Sequence, residues 1–172
     1  STIYSISIGE GELLTTPVHM ANLASIMANR GWFITPHTVL DIGGNGKPEA
    51  LDSLVETGVT PSAFLPIIQA MQAVVESPQG TGTKARVPGI TVCGKTGTVQ
   101  DGDRETHAVF MAFAPKDNPR IALSVYVENA GSGGDWAAPI ASLMIEQYLK
   151  GSIAQPEKEQ LILQATYPFP EH

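Results

Sequence analysis

The 172-residue sequence predicts an α+β fold, a three-stranded antiparallel meander with packing helices. Three observations lead there. Two helical stretches come first, three apolar alternating stretches then follow with short links, and one more helical stretch closes the series. A content of 42% hydrophobic residues is enough for one core, while 13 Pro and 17 Gly predict many turns.

Ser1 to Leu14 reads as loop or short turns around Gly9 and Gly11. Thr16-Pro17 announces the first helix, with Thr16 as cap and Pro17 suited to the first turn. Val18, Ala21, Leu23, Ala24, Ile26 and Met27 supply its apolar face, and Gly31 stops it. Trp32 to Leu40 reads as a short hairpin or paired strand segment broken by Pro36, and Asp41 to Lys47 as a turn. A second helix starts near Thr60-Pro61 and runs to about Val75, with Phe64, Ile67, Ile68, Met71, Val74 and Val75 at helical spacing. Pro66 falls early enough to be tolerated. Glu76 to Pro88, rich in Gly, Thr and Pro, reads as a loop.

The strands are Ile90 to Gln100, His107 to Ala114 and Ile121 to Glu128. In the second, Val109, Met111 and Phe113 line one face while Ala108, Phe110 and Ala112 line the other, so both faces are expected to be covered. The short links favour antiparallel hairpins. After the turn Gly131 to Gly134, Asp135 is the expected cap of a helix from Ala137 to Lys150, closed by Gly151. Ser152 to His172, with Pro156, Pro168 and Pro170, reads as a tail.

The net charge of −7 and the lack of a Lys/Arg cluster argue against nucleic acid as a partner, because neutralising phosphates requires basic residues. Cys93 is the single cysteine, which excludes an internal disulfide and leaves little for a metal site. No zinc-like His or Cys spacing occurs, and no cofactor is expected. No apolar run approaches the ~20 residues that span a bilayer, so the chain by itself reads as soluble.

Gly89 to Thr98, Gly-Ile-Thr-Val-Cys-Gly-Lys-Thr-Gly-Thr, fits two motifs. As G-x-x-x-x-G-K-[ST] it is formally a phosphate-binding loop. That reading needs a strand before the glycines and a helix after them. Here a polar stretch precedes, the supposed loop Ile90 to Cys93 is apolar and β-branched, and Gly-Thr-Val-Gln-Asp-Gly-Asp follows. As K-T-G-T, Lys95 to Thr98 lies within a strand. Alternation then puts Thr96 and Thr98 on one face and Lys95 on the other, and Gly94 and Gly97 permit close approach. Two hydroxyls and an ammonium make a compact carboxylate site. The plain alternative is a glycine-containing edge strand with a solvated lysine.

Other stretches bear on that choice: Ser7-Ile-Gly-Glu-Gly-Glu-Leu-Leu-Thr-Thr-Pro, Met20-Ala-Asn-Leu-Ala, Pro88 through Gln100, Phe113-Ala-Pro, Glu128-Asn-Ala-Gly and Ala138-Pro-Ile. With them the sequence resembles the penicillin-binding proteins, specifically class B D,D-transpeptidases of the penicillin-binding protein 2 type, over residues 7 to 150. The resemblance implies the β-lactamase/transpeptidase-like fold and a periplasmic, inner-membrane-anchored parent. The parent would cross-link peptidoglycan stem peptides through a serine acyl-enzyme and bind β-lactams. It implies that Lys95 supports proton transfer and charge, that Thr96 and Thr98 bind the substrate carboxylate beside Gly97, and that the Thr98 backbone N–H donates to the oxyanion. A serine β-lactamase or a β-lactam sensor, which shares the K-T-G strand, is the alternative.

Such enzymes also need an S-x-x-K and an S-x-N. Three residues before the lysines stand Gly44, Thr81, Val92, Phe113, Gln147 and Gln155, and no Ser-x-Asn occurs. The sequence therefore reads as the C-terminal portion of a transpeptidase domain over 1–151, followed by a tail over 152–172, and is expected not to acylate alone. Without the family's N-terminal strands and nucleophile helix, an apolar sheet face would be bare and strand 121–128 an open edge. A homodimer or another chain's strand is expected to cover that edge. Among the remaining candidates, His19, His37 and His172 read as structural or terminal, and His107 as a strand start with some claim to line the cleft. Asp101 and Asp103 read as a hairpin turn, the Gly131 to Gly134 stretch as a turn rather than an anion cradle, and Cys93 as a buried small residue with minor scope for reactivity.

Overall fold

In the computed structural model, which describes residues 14–100 and 106–166 together with Ile3, helix α1 (Pro17–Asn29) begins where Thr16 predicts. The Thr16 hydroxyl accepts from the His19 N–H at 3.4 Å, and the His19 ring accepts from the Thr16 N–H at the same distance. His19 thus closes a capping box in which glutamate or glutamine is usual. Arg30 takes the left-handed conformation at the C-terminal end, and Gly31 follows at φ 117°. The apolar face is narrower than the sequence predicts: Ala24 and Ala28 are buried, whereas Val18 and Leu23 are exposed.

Of the hairpin or paired strand segment expected at 32–40, the structure forms the latter: strand β1 (Trp32–Ile34) pairs antiparallel with β2 (Leu54–Glu56). Pro36 offers no N–H for a ladder, and the Asp41 carboxylate takes the N–H groups of Gly44 and Gly46 at 2.7 Å each, closing a separate turn. Helix α2 (Phe64–Glu76) follows a 3-10 turn at Pro61–Ala63 and buries Phe64, Ile68, Met71 and Val75, while Ile67 faces outward.

The sheet is β3 (Cys93–Val99), β4 (His107–Ala114) and β5 (Ile121–Val127), antiparallel in that order. β3 is shorter than the expected Ile90–Gln100. The central β4 is covered on both faces, as its pattern predicts. On one face Ala108, Phe110, Ala112 and Ala114 meet Ala137, Ala138, Ala141 and Ile145 of helix α3 (Ala137–Lys150). On the other, Phe113 and Cys93 meet Ala28, Phe64, Ile68 and Met71 from α1 and α2. The expectation of a bare face is thereby corrected: the chain's own first two helices cover it. β5 remains at an edge of the sheet among the described residues.

The segment read as a tail contains helix α4 (Pro156–Leu163). Its Lys158 Nζ donates to Ser142 Oγ at 2.9 Å and to the carbonyls of Lys84 at 3.1 Å and Arg86 at 3.4 Å. Burial lowers the Lys158 pKa, and the nearby Glu146 partly opposes this. The wholly buried Glu146 accepts from Lys150 Nζ at 3.0 Å, Gln155 Nε2 at 3.0 Å and the Ala154 N–H at 3.2 Å. Burial alone would raise the Glu146 carboxyl, but these hydrogen bonds outweigh it and the net shift is downward. Apolar periodicity gave no warning of this docking because α4 is held by polar groups. Residues 167–172, like Ser7 to Leu13 and the Asp101 to Asp103 turn, lie outside the described residues. No described helix is long and apolar enough to cross a membrane.

Candidate active site

β3 is an edge strand and carries Lys95, Thr96, Gly97 and Thr98. Its register sets Thr96 opposite Phe110 and Thr98 opposite Ala108, on the face that α3 covers, and Lys95 opposite Met111 on the face of α1 and α2. The alternation predicted from sequence is therefore the one observed. Lys95 and Thr96 sit inside a strand rather than at a helix N-terminus, which removes the phosphate-loop geometry.

The hydroxyl face is closely supported. The fully buried Phe110 ring lies beneath Gly94, where an added Cβ would come within 2.3 Å of its Cζ. Thr96 Oγ1 lies 2.8 Å from Thr81 Oγ1 in the loop after α2. The turn before α3 presses on the same region: a Cβ at Gly133 would stand 2.2 Å from the Val109 carbonyl oxygen and 2.4 Å from that of Gly97. A Cβ at Gly134 would stand 2.3 Å from the Thr81 carbonyl oxygen. These two glycines admit backbone against backbone. The side chain of Thr98 is exposed, and Gly97 is half-buried.

On the opposite face Lys95 is exposed, and its ammonium donates to the Thr96 carbonyl.

Asp135 is not the helix cap. Trp136 holds the N-cap position, and Asp135 instead pairs with Lys84 Nζ at 2.7 Å, joining the loop after α2 to the turn before α3. The hydrogen bond from Lys84 holds the Asp135 carboxyl below its ordinary range. His107 takes a structural role: its Nδ1 accepts from the Asn129 N–H at 3.0 Å and its ring packs 5.4 Å from that of Tyr126. Cys93 is fully buried, and burial pushes its thiol up to about 11, so it is no nucleophile near neutral pH. Among the described residues no cluster of three or more His, Cys, Asp or Glu could hold a metal.

Thr81 and Lys84 escaped the sequence reading. The available signal was Gly80-Thr81-Gly82: small residues on both sides of one hydroxyl mark a close backbone approach, though not to which strand.

Residues 1–146 match the family described as the penicillin binding protein transpeptidase domain. The chain is 33% identical to peptidoglycan D,D-transpeptidase MrdA of Haemophilus influenzae, over 93% of this chain and 28% of that protein. It is 32% identical to peptidoglycan D,D-transpeptidase PbpA of Mycobacterium tuberculosis, over 84% of this chain and 31% of that one. Pseudomonas aeruginosa PBP2, solved in complex with WCK 5153, superimposes with a TM-score of 0.74 at 32% identity, covering 86% of this chain and 32% of that chain. Penicillin-binding protein A from M. tuberculosis, solved as an imipenem acyl-enzyme complex, gives 0.71 at 30% identity, covering 84% and 33%. The chain thus spans 28% and 31% of the length of the two curated relatives.

Proposed function

The chain belongs to the penicillin-binding protein transpeptidase domain family, and from that premise we propose that it supplies the K-T-G-T strand of a serine D,D-transpeptidase that cross-links peptidoglycan. One observation carries the reading: Thr96 and Thr98 stand on the same face of edge strand β3, with Lys95 beside them on the other.

In this reading the Thr96 and Thr98 hydroxyls bind the terminal carboxylate of a stem peptide, and Gly97 lets the peptide backbone lie close. A serine outside these 172 residues attacks the penultimate carbonyl. The bond to the terminal D-alanine breaks, its nitrogen leaves with a proton, and an ester to the serine remains. The Thr98 N–H donates to the oxyanion, and Lys95 supports proton transfer and positive charge in the cleft. A neighbouring stem peptide's amine then takes the acyl group. In this reading β-lactams react at the same serine; the M. tuberculosis relative was solved as an imipenem acyl-enzyme complex. The site works on the periplasmic side of a membrane-anchored parent, and strand 121–128 pairs with another chain or a second copy. A strictly monomeric species in sedimentation, with that strand open to hydrogen exchange, argues against the pairing.

Labelling with a fluorescent penicillin tests the main reading. The full-length protein takes up covalent label, and Lys95→Ala abolishes it. The isolated 172-residue chain, which holds no Ser-x-x-Lys, takes up none. Failure of the full-length protein to label overturns the assignment, and labelling of the isolated chain overturns the placement of the nucleophile.

A further inference from the structure

We propose that Thr81 is a positioning residue of the carboxylate site: its hydroxyl donates to Thr96 Oγ1, so that the Thr96 proton is free to point at the substrate carboxylate. The proposal rests on the transpeptidase reading and adds a residue to it.

A hydroxyl carries one proton and accepts through two lone pairs. At 2.8 Å the Thr81 and Thr96 hydroxyls share one hydrogen bond, and either oxygen can be its donor. If Thr96 donates to Thr81, Thr96 has no proton left for an anion. If Thr81 donates to Thr96, Thr96 can donate onward. A carboxylate accepts only, so its arrival selects the second polarity and sets up a relay from Thr81 through Thr96 to the anion. Each bond in such a chain polarises the next.

Thr81 is held where a relay needs it. On one side the Gly82 N–H donates to the Val74 carbonyl at 2.9 Å and the Gly80 N–H to the Ser77 carbonyl at 3.0 Å, fastening the loop to the end of α2. On the other side Gly134 abuts the Thr81 carbonyl, and the Lys84–Asp135 pair ties the same loop to the same turn. Thr98, by contrast, has its side chain exposed. Among the described residues, Thr96 is the one of the two proposed carboxylate-binding hydroxyls with a side-chain partner already in place.

The test compares a penicillin bearing its free carboxylate with the methyl ester of the same penicillin, on the full-length protein. Thr81→Val slows acylation by the acid about tenfold, equivalent to ~1.4 kcal/mol, and leaves the rate with the ester unchanged. Thr81→Ser, which keeps the hydroxyl, restores the rate with the acid. An unchanged rate with the acid in Thr81→Val overturns the relay. Equal slowing of acid and ester overturns it too, because that pattern reports a displaced loop. Absence of acylation in the unsubstituted protein overturns the transpeptidase reading itself and the relay with it, a result distinct from both.

Discussion

On the α3 side of β3, Thr96 stands opposite Phe110, whose ring lies beneath Gly94, meets Thr81, and is backed by a glycine turn pressed against the Gly97 and Val109 carbonyls. On the α1 and α2 side, Lys95 is exposed, and among the described residues its ammonium donates to the carbonyl of its own neighbour, Thr96. In the proposed function the difference corresponds to two tasks. Binding a carboxylate requires hydroxyls whose positions are set beforehand, which close packing provides. Moving a proton requires partners for the ammonium, and here none comes from the packed core. The α3 face also anchors the rest of the chain: Ser142 and Glu146 on α3 hold Lys158, Ala154 and Gln155 of the following segment.

Four substitutions probe this contrast. Removing the support of the hydroxyl side has the largest effect: Phe110→Ala destabilises by about 3–5 kcal/mol, read as a lower urea midpoint with unchanged slope. Gly133→Ala follows, because its methyl group meets backbone oxygens that cannot swing aside; the expected cost is about 2–3 kcal/mol, with amide shifts at Gly97 and Val109 in NMR spectra. A Gly133→Ala chain with parental stability would show that the turn does not brace the strand.

Glu146→Gln weakens hydrogen bonds to a charged group and costs about 1–2 kcal/mol near neutral pH. It also changes the acid limb. A carboxyl held below its ordinary 4.5 in the fold contributes stability that is present above that value and is lost as the pH falls through the folded value. The parent therefore loses stability on acidification below pH 4.5, and the variant's curve is flatter there. The smallest structural effect belongs to the lysine side. Lys95→Ala changes stability by less than about 0.5 kcal/mol, yet it removes penicillin labelling of the full-length protein. A large loss of stability in this variant would abolish the distinction between the two sides.

The strand pattern was legible because it is local. Period-two alternation in His107 to Ala114 predicts a strand covered on both faces, and Thr16-Pro17 fixes the start of α1 through one side chain and one missing N–H. The same alternation placed Lys95 opposite in sense to Thr96 and Thr98. Other features depend on residues distant in sequence. Asp135 has the chemistry of a cap, but Lys84 lies within 2.7 Å and an ion pair forms instead. β1 pairs with β2 across an intervening turn, and α4 is held by a lysine that reaches three oxygens on other elements.

By itself the sequence determined the α+β order, the antiparallel meander and the K-T-G-T strand, since each follows from side-chain periodicity within a few residues. Tertiary structure alone decided which helices cover which face, where Asp135 and Lys158 find partners, and that Thr81 meets Thr96. Those outcomes depend on distances between segments, which no local pattern encodes.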